Sequence, residues 1–194
     1  MPYNPTTHHR RSIRLKDYDY SQAGMYFVTI CARVGAYHIR PDIFGKTENG
    51  AMILNEYGQI AMQCWLKIPQ HFLHTILHEY VIMPNHIHGI IEISQNVGAK
   101  NIVGNVGTKN IVDNVGAKNF SPLRIADNNP RGTSRTVGSI VRGFKIGVTK
   151  QIGYSVWQRN YHEHIIRNKE SYQYIANYIV NNPINWEKDE FYTA

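Results

Sequence analysis

The sequence predicts an α+β fold: a ferredoxin-like split βαβ arrangement with an antiparallel sheet, helices on one face and an added C-terminal helix that carries a tyrosine. Two observations lead to this fold class. Segments with the pattern of strands and helices follow one another in the order β-α-β-β-α-β-α, which is the order of the split βαβ fold. The second and third strands are joined only by Pro84-Asn85, and so short a connection requires an antiparallel pair.

Four segments have the composition of strands. Tyr26–Cys31 is rich in β-branched and aromatic residues and is predicted to be the first strand. The second and third strands are predicted at about 74–83 and 86–93, on either side of the short connection. Ser155–Arg159 is predicted to be the fourth strand.

Three segments have the apolar spacing of helices. In the first, Asn55 stands in the position of an N-cap and Pro69 marks the end. The second spans about 137–152, where apolar residues recur every three or four positions. The third begins near Asn168 and ends at Pro183.

The 194 residues are predicted to form a single domain that is interrupted by a repeat. A nine-residue unit beginning Asn-Val-Gly recurs nearly three times from Asn96 onwards. So few copies with so little apolar content do not make a solenoid, and the density of glycine and asparagine favours a mobile loop. We therefore predict that residues 95–132 are a flexible insertion, although the Ile-Val pairs leave weak β-structure open.

Composition also bounds the location of the protein. No window approaches 18 consecutive apolar residues, and the N-terminus lacks a hydrophobic signal core, so we expect neither a membrane span nor a signal peptide. Cys31 and Cys64 are predicted to be free thiols of a reducing compartment. The cytoplasm is therefore the expected location.

The net charge of +7 and the placement of the cations indicate a polyanionic partner. Arg10, Arg11 and Arg14 lie in a basic arm ahead of the first strand, and Arg142 and Lys145 lie off the apolar stripe of the second helix. Basic groups in such positions commonly bind phosphates. A solvated tail and a solvated helix face are the alternatives.

His86 and His88 are the strongest chemical signal in the residues themselves. Alternate side chains of a strand share a face, so both imidazoles point the same way and can bind one divalent ion. The isoleucines around them predict a buried and rigid strand, which a metal site requires. The spacing alone fits equally a strand that carries two surface histidines.

Tyr178 and Asn182 lie four residues apart on the last helix and are therefore stacked on one flank. Together they could present a nucleophilic oxygen and a neutral metal ligand. The ordinary alternatives are an amphipathic packing tyrosine and a helix-end asparagine before Pro183.

Three motifs in order resemble the REP-associated tyrosine transposases, members of the HUH superfamily of single-tyrosine endonucleases. The motifs are Pro84-Asn85-His86-Ile87-His88, the segment 156–168 beginning Val-Trp-Gln-Arg, and Asn177-Tyr178-Ile179-Val180-Asn181-Asn182-Pro183. The segments 10–14 and 138–145 are similar to that family as well. The resemblance spans most of the chain except the repeat insertion, which maps onto no function of the family.

The resemblance implies a transposase-like, metal-dependent single-strand DNA endonuclease and strand transferase. His86 and His88 match the metal-binding pair, Tyr178 the nucleophile and Asn182 the third metal ligand. The implied cofactor is Mg²⁺ or Mn²⁺, which polarises the scissile phosphate. Attack by Tyr178 leaves a 5′-phosphotyrosine link and a free 3′-OH.

The implied partner is single-stranded or hairpin DNA, resembling the REP repeats of that family, and the chain is either a monomer or a homodimer. A second pair, His162 and His164, follows the Trp-Gln-Arg motif, but the metal pair of the family is the earlier one. We therefore interpret His164 as structural or adjacent to DNA. The predicted DNA contacts are Arg10, Arg11, Arg14, Arg142, Lys145, Arg159 and Arg167.

Three other functions fit parts of the sequence. A non-catalytic single-stranded nucleic-acid-binding module on the same scaffold would use sheet aromatics such as Tyr26 and Phe27, and metal-dependent nicking separates it from a transposase. A metal-dependent hydrolase would form no covalent adduct. A rolling-circle replication initiator shares the chemistry but normally belongs to a larger chain.

Overall fold

The computed structural model describes residues 18–33, 42–94 and 134–192. The predicted DNA contacts Arg10, Arg11 and Arg14, and the insertion predicted at 95–132, lie outside the described residues. The strands are β1 (Gly24–Cys31), β2 (Gly45–Glu48), β3 (Ala51–Leu54), β4 (Thr75–Ile82), β5 (His86–Ile93) and β6 (His162–Ile166). The helices are α1 (Glu56–Leu66), α2 (Ile68–His71), α3 (Val137–Ile152) and α4 (Lys169–Asn181), with a 3₁₀ turn at Trp186–Lys188.

The main sheet confirms the predicted fold class. Its four strands are antiparallel and lie in the order β4-β5-β1-β6. β1 is therefore a central strand, and its partner β5 carries the two histidines of the His-x-His motif. Among the described residues, no helix has both the length and the apolar run needed to cross a bilayer.

The two faces of this sheet are covered by different helices. α1 and α3 pack on one face, where Trp65, Phe144 and Ile87 belong to the larger apolar cluster. α4 covers the opposite face, where its buried Ile175 and Ile179 contact Ile90. This is the predicted arrangement of core helices on one side and an added helix that carries Tyr178.

Capping asparagines stand at the start of α1, where Asn55 was predicted to cap the helix, and of α4, which was predicted to begin near Asn168. The Asn55 side chain accepts a hydrogen bond from the Gly58 amide at the start of α1. Asn168 accepts one from the Ser171 amide at the start of α4. Such caps satisfy backbone donors that have no partner within the helix.

The predicted fourth strand at Ser155–Arg159 is wrong. Within that segment Trp157 forms one isolated bridge to Ala32, and the strand itself is β6, which pairs His162 with Thr29. The two segments are out of register because Asn160, at a φ of 65°, turns the chain between them. Trp157 is buried against Phe44 and Phe144 as part of the core.

Candidate active site

The site begins with the alternation of side chains along β5. Ile87 and Ile91 enter the core under α1 and α3, whereas His86 and His88 point to the face that α4 covers. Both histidines are buried. Between them and Ile90, Gly89 faces the core, where an added Cβ would clash with the ring of Trp65. Close packing on one face therefore holds the two imidazoles on the other.

Hydrogen bonds orient both imidazoles. Asn85 donates through Nδ2 to the carbonyl oxygen of Phe191 at 2.7 Å, which leaves its Oδ1 to accept from Nδ1 of His86 at 2.9 Å. The Nε2 atom of His86 therefore keeps its lone pair. Nδ1 of His88 lies 2.8 Å from the hydroxyl of Thr29. The two Nε2 atoms face each other at 2.9 Å.

α4 brings Tyr178 to this pair. The helix is fixed by Ile175 and Ile179 in the apolar contact with Ile90, and by Tyr172, which donates a hydrogen bond to Glu79 at 2.7 Å. The hydroxyl oxygen of Tyr178 lies 3.2 Å from Nε2 of His88. The tyrosine side chain is 40% exposed, so a ligand can reach the oxygen from solvent.

Asn182 and Asp189 complete the constellation. Asn182 is buried and donates through Nδ2 to Oδ2 of Asp189 at 2.8 Å, while its own Oδ1 is buried with no partner among the described residues. The same carboxylate oxygen accepts a hydrogen bond from the hydroxyl of Tyr178 at 3.2 Å. The structure thus brings together all four residues that the sequence predicted for the site.

Asp189 is the residue that sequence reasoning missed. The stretch Glu187-Lys188-Asp189-Glu190 contains three carboxylates, and its spacing does not show which one turns inward. The 3₁₀ turn that ends at Lys188 directs the Asp189 side chain towards Tyr178. Aromatic residues of the same segment, Trp186 and Phe191, lie against His86 with ring centroids 5.8 and 4.8 Å away.

These donors fit a divalent metal ion. Ligand atoms of His86, His88 and Asp189 all lie within 4.8 Å of one another. Two imidazole nitrogens 2.9 Å apart subtend roughly 90° at an ion about 2.1 Å from each, a normal angle for octahedral coordination. The orphaned Oδ1 of Asn182 is a further oxygen donor of the kind that such an ion binds.

Burial keeps both imidazoles neutral, which is the form that binds a cation. Burial lowers the pKa of His86 to about 3, and burial together with the charge of His86 holds the pKa of His88 well below its ordinary value. Both rings are therefore neutral at pH 7, as metal ligands must be. Burial and the nearby charge of Asp189 raise the pKa of Tyr178, so its hydroxyl stays protonated unless a cation compensates.

Comparisons with known proteins give a family and a fold. No family model matches the chain. An uncharacterized protein of Haemophilus influenzae is 45% identical over 195 residues, an alignment that covers 98% of this chain and 97% of that one. The chain belongs to the same family as this Haemophilus influenzae protein.

Among solved structures, the chain is similar to a REP-associated tyrosine transposase bound to a REP hairpin. The TM-score is 0.53 at 19% sequence identity, and the match covers 89% of this chain and 74% of the transposase. At this identity the similarity establishes the fold alone. The mixed α/β fold of this chain is therefore similar to that of the transposase.

The predicted DNA contacts that the structure describes lie in several places. Arg142 is exposed on α3, and Arg159 and Arg167 are exposed on either side of β6. Lys145 is directed inward, where its ammonium donates to the carbonyl oxygens of Gln158 and Asn160, and burial lowers its pKa to about 8. Arg142 and Lys145 both line a groove of about 590 Å³ beside Trp157.

The second His-x-His pair lies closer to the site than the sequence indicated. Thr29, which contacts His88, is the register partner of His162 on β6, and Phe27 is that of His164. Both histidines are exposed and lie on the same sheet face as the buried pair. His162 lines a cavity of about 550 Å³ together with His88 and Tyr178.

The sheet aromatics do not form an open platform. Tyr26 is fully buried in the core under α1 and α3, and Phe27 packs below α4 with its ring 6.2 Å from that of Tyr178. A nucleic-acid-binding module of the sheet-stacking type requires exposed aromatic rings. This observation weighs against that alternative function.

Proposed function

We propose that this protein is a metal-dependent, single-tyrosine DNA transposase of the REP-associated type, which cuts and rejoins single-stranded or hairpin DNA. The observation that supports the proposal most is the 3.2 Å distance between the hydroxyl oxygen of Tyr178 and Nε2 of His88. A phosphodiester held at the histidine pair would lie within reach of that oxygen. The fold that the chain shares with a transposase bound to a REP hairpin gives further support.

In this mechanism His86 and His88 would hold the cation, with an oxygen ligand from Asn182 or Asp189. A bound Mg²⁺ or Mn²⁺ would polarise the scissile phosphate and offset the charge on its oxygens. The imidazole ligands accept Mn²⁺ at least as well as Mg²⁺.

The covalent step belongs to Tyr178. Its oxygen attacks phosphorus, the bond from phosphorus to the 3′ oxygen breaks, and the strand is left with a free 3′-OH and a 5′-phosphotyrosine link. Because a phenolate is a better leaving group than an alkoxide, the link can be reversed and the strand rejoined.

The proposal is tested by trapping the adduct. The protein is incubated with Mn²⁺ and labelled single-stranded hairpins taken from repeats that flank its gene, and SDS gels are searched for a protein–DNA adduct. We expect the adduct with the natural protein and its loss in Tyr178→Phe, which removes one oxygen and keeps the ring. The matched control is Tyr174→Phe, one turn earlier on α4, which keeps the adduct.

The alternatives give different results in the same experiment. Strand cleavage without an adduct would indicate a hydrolase. Hairpin binding with neither cleavage nor adduct in any metal would indicate a non-catalytic DNA-binding module. Either result contradicts the proposal.

A further inference from the structure

An open cavity next to Tyr178 contains side chains that the proposed cleavage chemistry does not use. The cavity, of about 550 Å³, lies between α4 and β6. Phe27 and Thr29 of β1 form part of its wall, together with His88 and Tyr178. Its volume lies in the range of cavities that bind small molecules, and one nucleotide fits within it.

Tyr174 is the first of the unused side chains. It lies one helical turn before Tyr178 and is 77% exposed, the most exposed large apolar side chain among the described residues. It makes no hydrogen bond or ring contact with any described residue. Its ring lines both the cavity beside β6 and a second one, of about 340 Å³, on the other side of Tyr178. A ring so exposed contributes little to packing in the fold, and its face is open to contact a ligand.

His162 is the second. It is exposed on the edge strand β6 and lines the same cavity, and its side chain has no hydrogen-bond partner among the described residues. Lys188 adds a cation to the cavity, whereas Asp189 and Glu190 add carboxylates. Asp189 already accepts hydrogen bonds from Tyr178 and Asn182, and the charge of Glu190 is opposite to that of Lys188. The imidazole of His162 then remains to donate a hydrogen bond to an anion.

We propose that this cavity binds the nucleotide that adjoins the scissile phosphate, with its base stacked on Tyr174 and its phosphate hydrogen-bonded to His162. The inference rests on the proposed function for the position of the scissile phosphate at Tyr178. Side chains one turn apart on a helix are about 5–6 Å apart, which is within the reach of a base attached next to that phosphate. Base stacking on an exposed aromatic ring is the general means by which proteins hold unpaired nucleotides.

The subsite is tested by binding without chemistry. A fluorescein-labelled strand of ten thymidines is titrated with protein in low salt and EDTA, and the titration is repeated with an abasic strand of equal length that keeps the sugar-phosphate backbone. Tyr174→Ala should weaken binding of the thymidine strand roughly 5- to 100-fold, as expected for the loss of one stacked base. Tyr174→Phe should stay within about twofold, because the ring remains.

The abasic strand separates the two contacts. Tyr174→Ala should have no effect on it, because no base is present to stack. His162→Gln should weaken both strands by a similar factor, roughly 2- to 10-fold for one hydrogen bond to phosphate. Tyr154→Ala and His71→Gln, exposed residues of the same types on the opposite side of the sheet, are the controls and should change neither strand.

Three results would overturn the subsite: unchanged binding of the thymidine strand by Tyr174→Ala, an equal loss on the abasic strand, or an equal loss in the Tyr154 control. Failure of the proposed function is recognised separately. Because this titration contains no metal and detects no cleavage, a negative adduct assay combined with the expected pattern here would leave the nucleotide subsite standing and remove the transposase chemistry.

Discussion

The two faces of the central sheet are built from the same strands and have opposite characters. On one face, β5 contributes Ile87 and Ile91 to an apolar core under α1 and α3. On the other face the same strand contributes His86 and His88, which meet Tyr178 of α4. The alternation of a single strand thus supplies both the core and the candidate site.

This difference shows how buried polar side chains can be held in a fixed orientation. The Nδ1 atom of each imidazole has a hydrogen-bond partner, so polar contacts fix the direction in which each ring points. The strand that carries both histidines is fixed on its opposite face by apolar contacts such as that of Trp65 with Gly89. Substitutions on the core face should therefore lower stability, and substitutions on the α4 face should lower activity.

The largest effect is expected from the histidine pair. His86→Ala and His88→Ala should each reduce adduct formation about 1,000-fold or more, because the ion loses a strong ligand, while binding of hairpin DNA is largely kept. Asn182→Ala should be milder, since water can replace a neutral oxygen ligand. Adduct yields and hairpin affinities measured side by side check this. Full activity in the His86 variant, with loss of activity in His162→Ala and His164→Ala, would show that the metal site is formed by the second histidine pair.

On the core face, Gly89→Ala is expected to cost about 3 kcal/mol of unfolding free energy, because its Cβ would clash with the Trp65 ring. The matched control is Gly147→Ala on α3, where an added Cβ meets only Sγ of Cys64 at ordinary contact distance. Urea unfolding of both variants gives the comparison. Equal stability of the two would mean that this face is not as tightly packed as described.

The buried histidines also predict acid sensitivity. The pKa values of His86 and His88 are lower in the folded protein than the ordinary value of about 6.5, so the unfolded chain binds more protons below that value. Stability should then fall as the pH is lowered from about 6.5 towards 3. The melting temperature of metal-free protein should fall more between pH 7 and pH 5 for the natural chain than for His86→Gln. An identical fall in both would mean that the pKa of His86 is not lowered in the folded protein.

Two neighbouring cations on α3 should behave differently. Arg142→Gln should flatten the salt dependence of DNA binding by about 0.7 in log affinity per log salt, the value for one single-strand phosphate contact, and leave stability unchanged. Lys145→Gln should instead lower the melting temperature, because its ammonium holds the carbonyl oxygens of Gln158 and Asn160. An unchanged salt slope in Arg142→Gln would mean that this helix faces solvent rather than DNA.

The smallest effect is expected from the repeat. Replacing residues 96–119 with a short Gly-Ser bridge should leave the melting temperature nearly unchanged, because loop length affects stability only logarithmically. Thermal unfolding of the shortened chain tests this prediction. A large loss of stability would show that the repeat packs as part of the fold.

Much of this arrangement could be predicted because local patterns agreed with the fold. The spacing of His86 and His88, the cap at Asn55, the helix start at Asn168 and the short β4–β5 connection are each set by a few neighbouring residues. The β2–β3 hairpin was missed although its signal was present: Asn49 and Gly50 both have positive φ, as a two-residue Asn-Gly turn requires.

The remaining features depend on tertiary contacts. Whether Trp157 belongs to a strand or to the core is decided by the rings around it, so the fourth strand was placed seven residues too early. Asp189 reaches the site because the chain turns back after α4, which no spacing in the sequence shows. His162 approaches His88 through pairing with Thr29 across β1, a register that only the folded sheet defines.

In the proposed function, Tyr178 is the residue to which DNA becomes joined. Trypsin cleaves after Lys169 and Lys188, and the peptide between them contains three tyrosines, Tyr172, Tyr174 and Tyr178. Fragmentation of the nuclease-trimmed adduct by mass spectrometry therefore distinguishes them directly. We expect a nucleotide phosphate on Tyr178 that forms only when a divalent metal is present. The same modification on Tyr172 or Tyr174, or one that forms equally in EDTA, would show that Tyr178 is not the metal-dependent nucleophile.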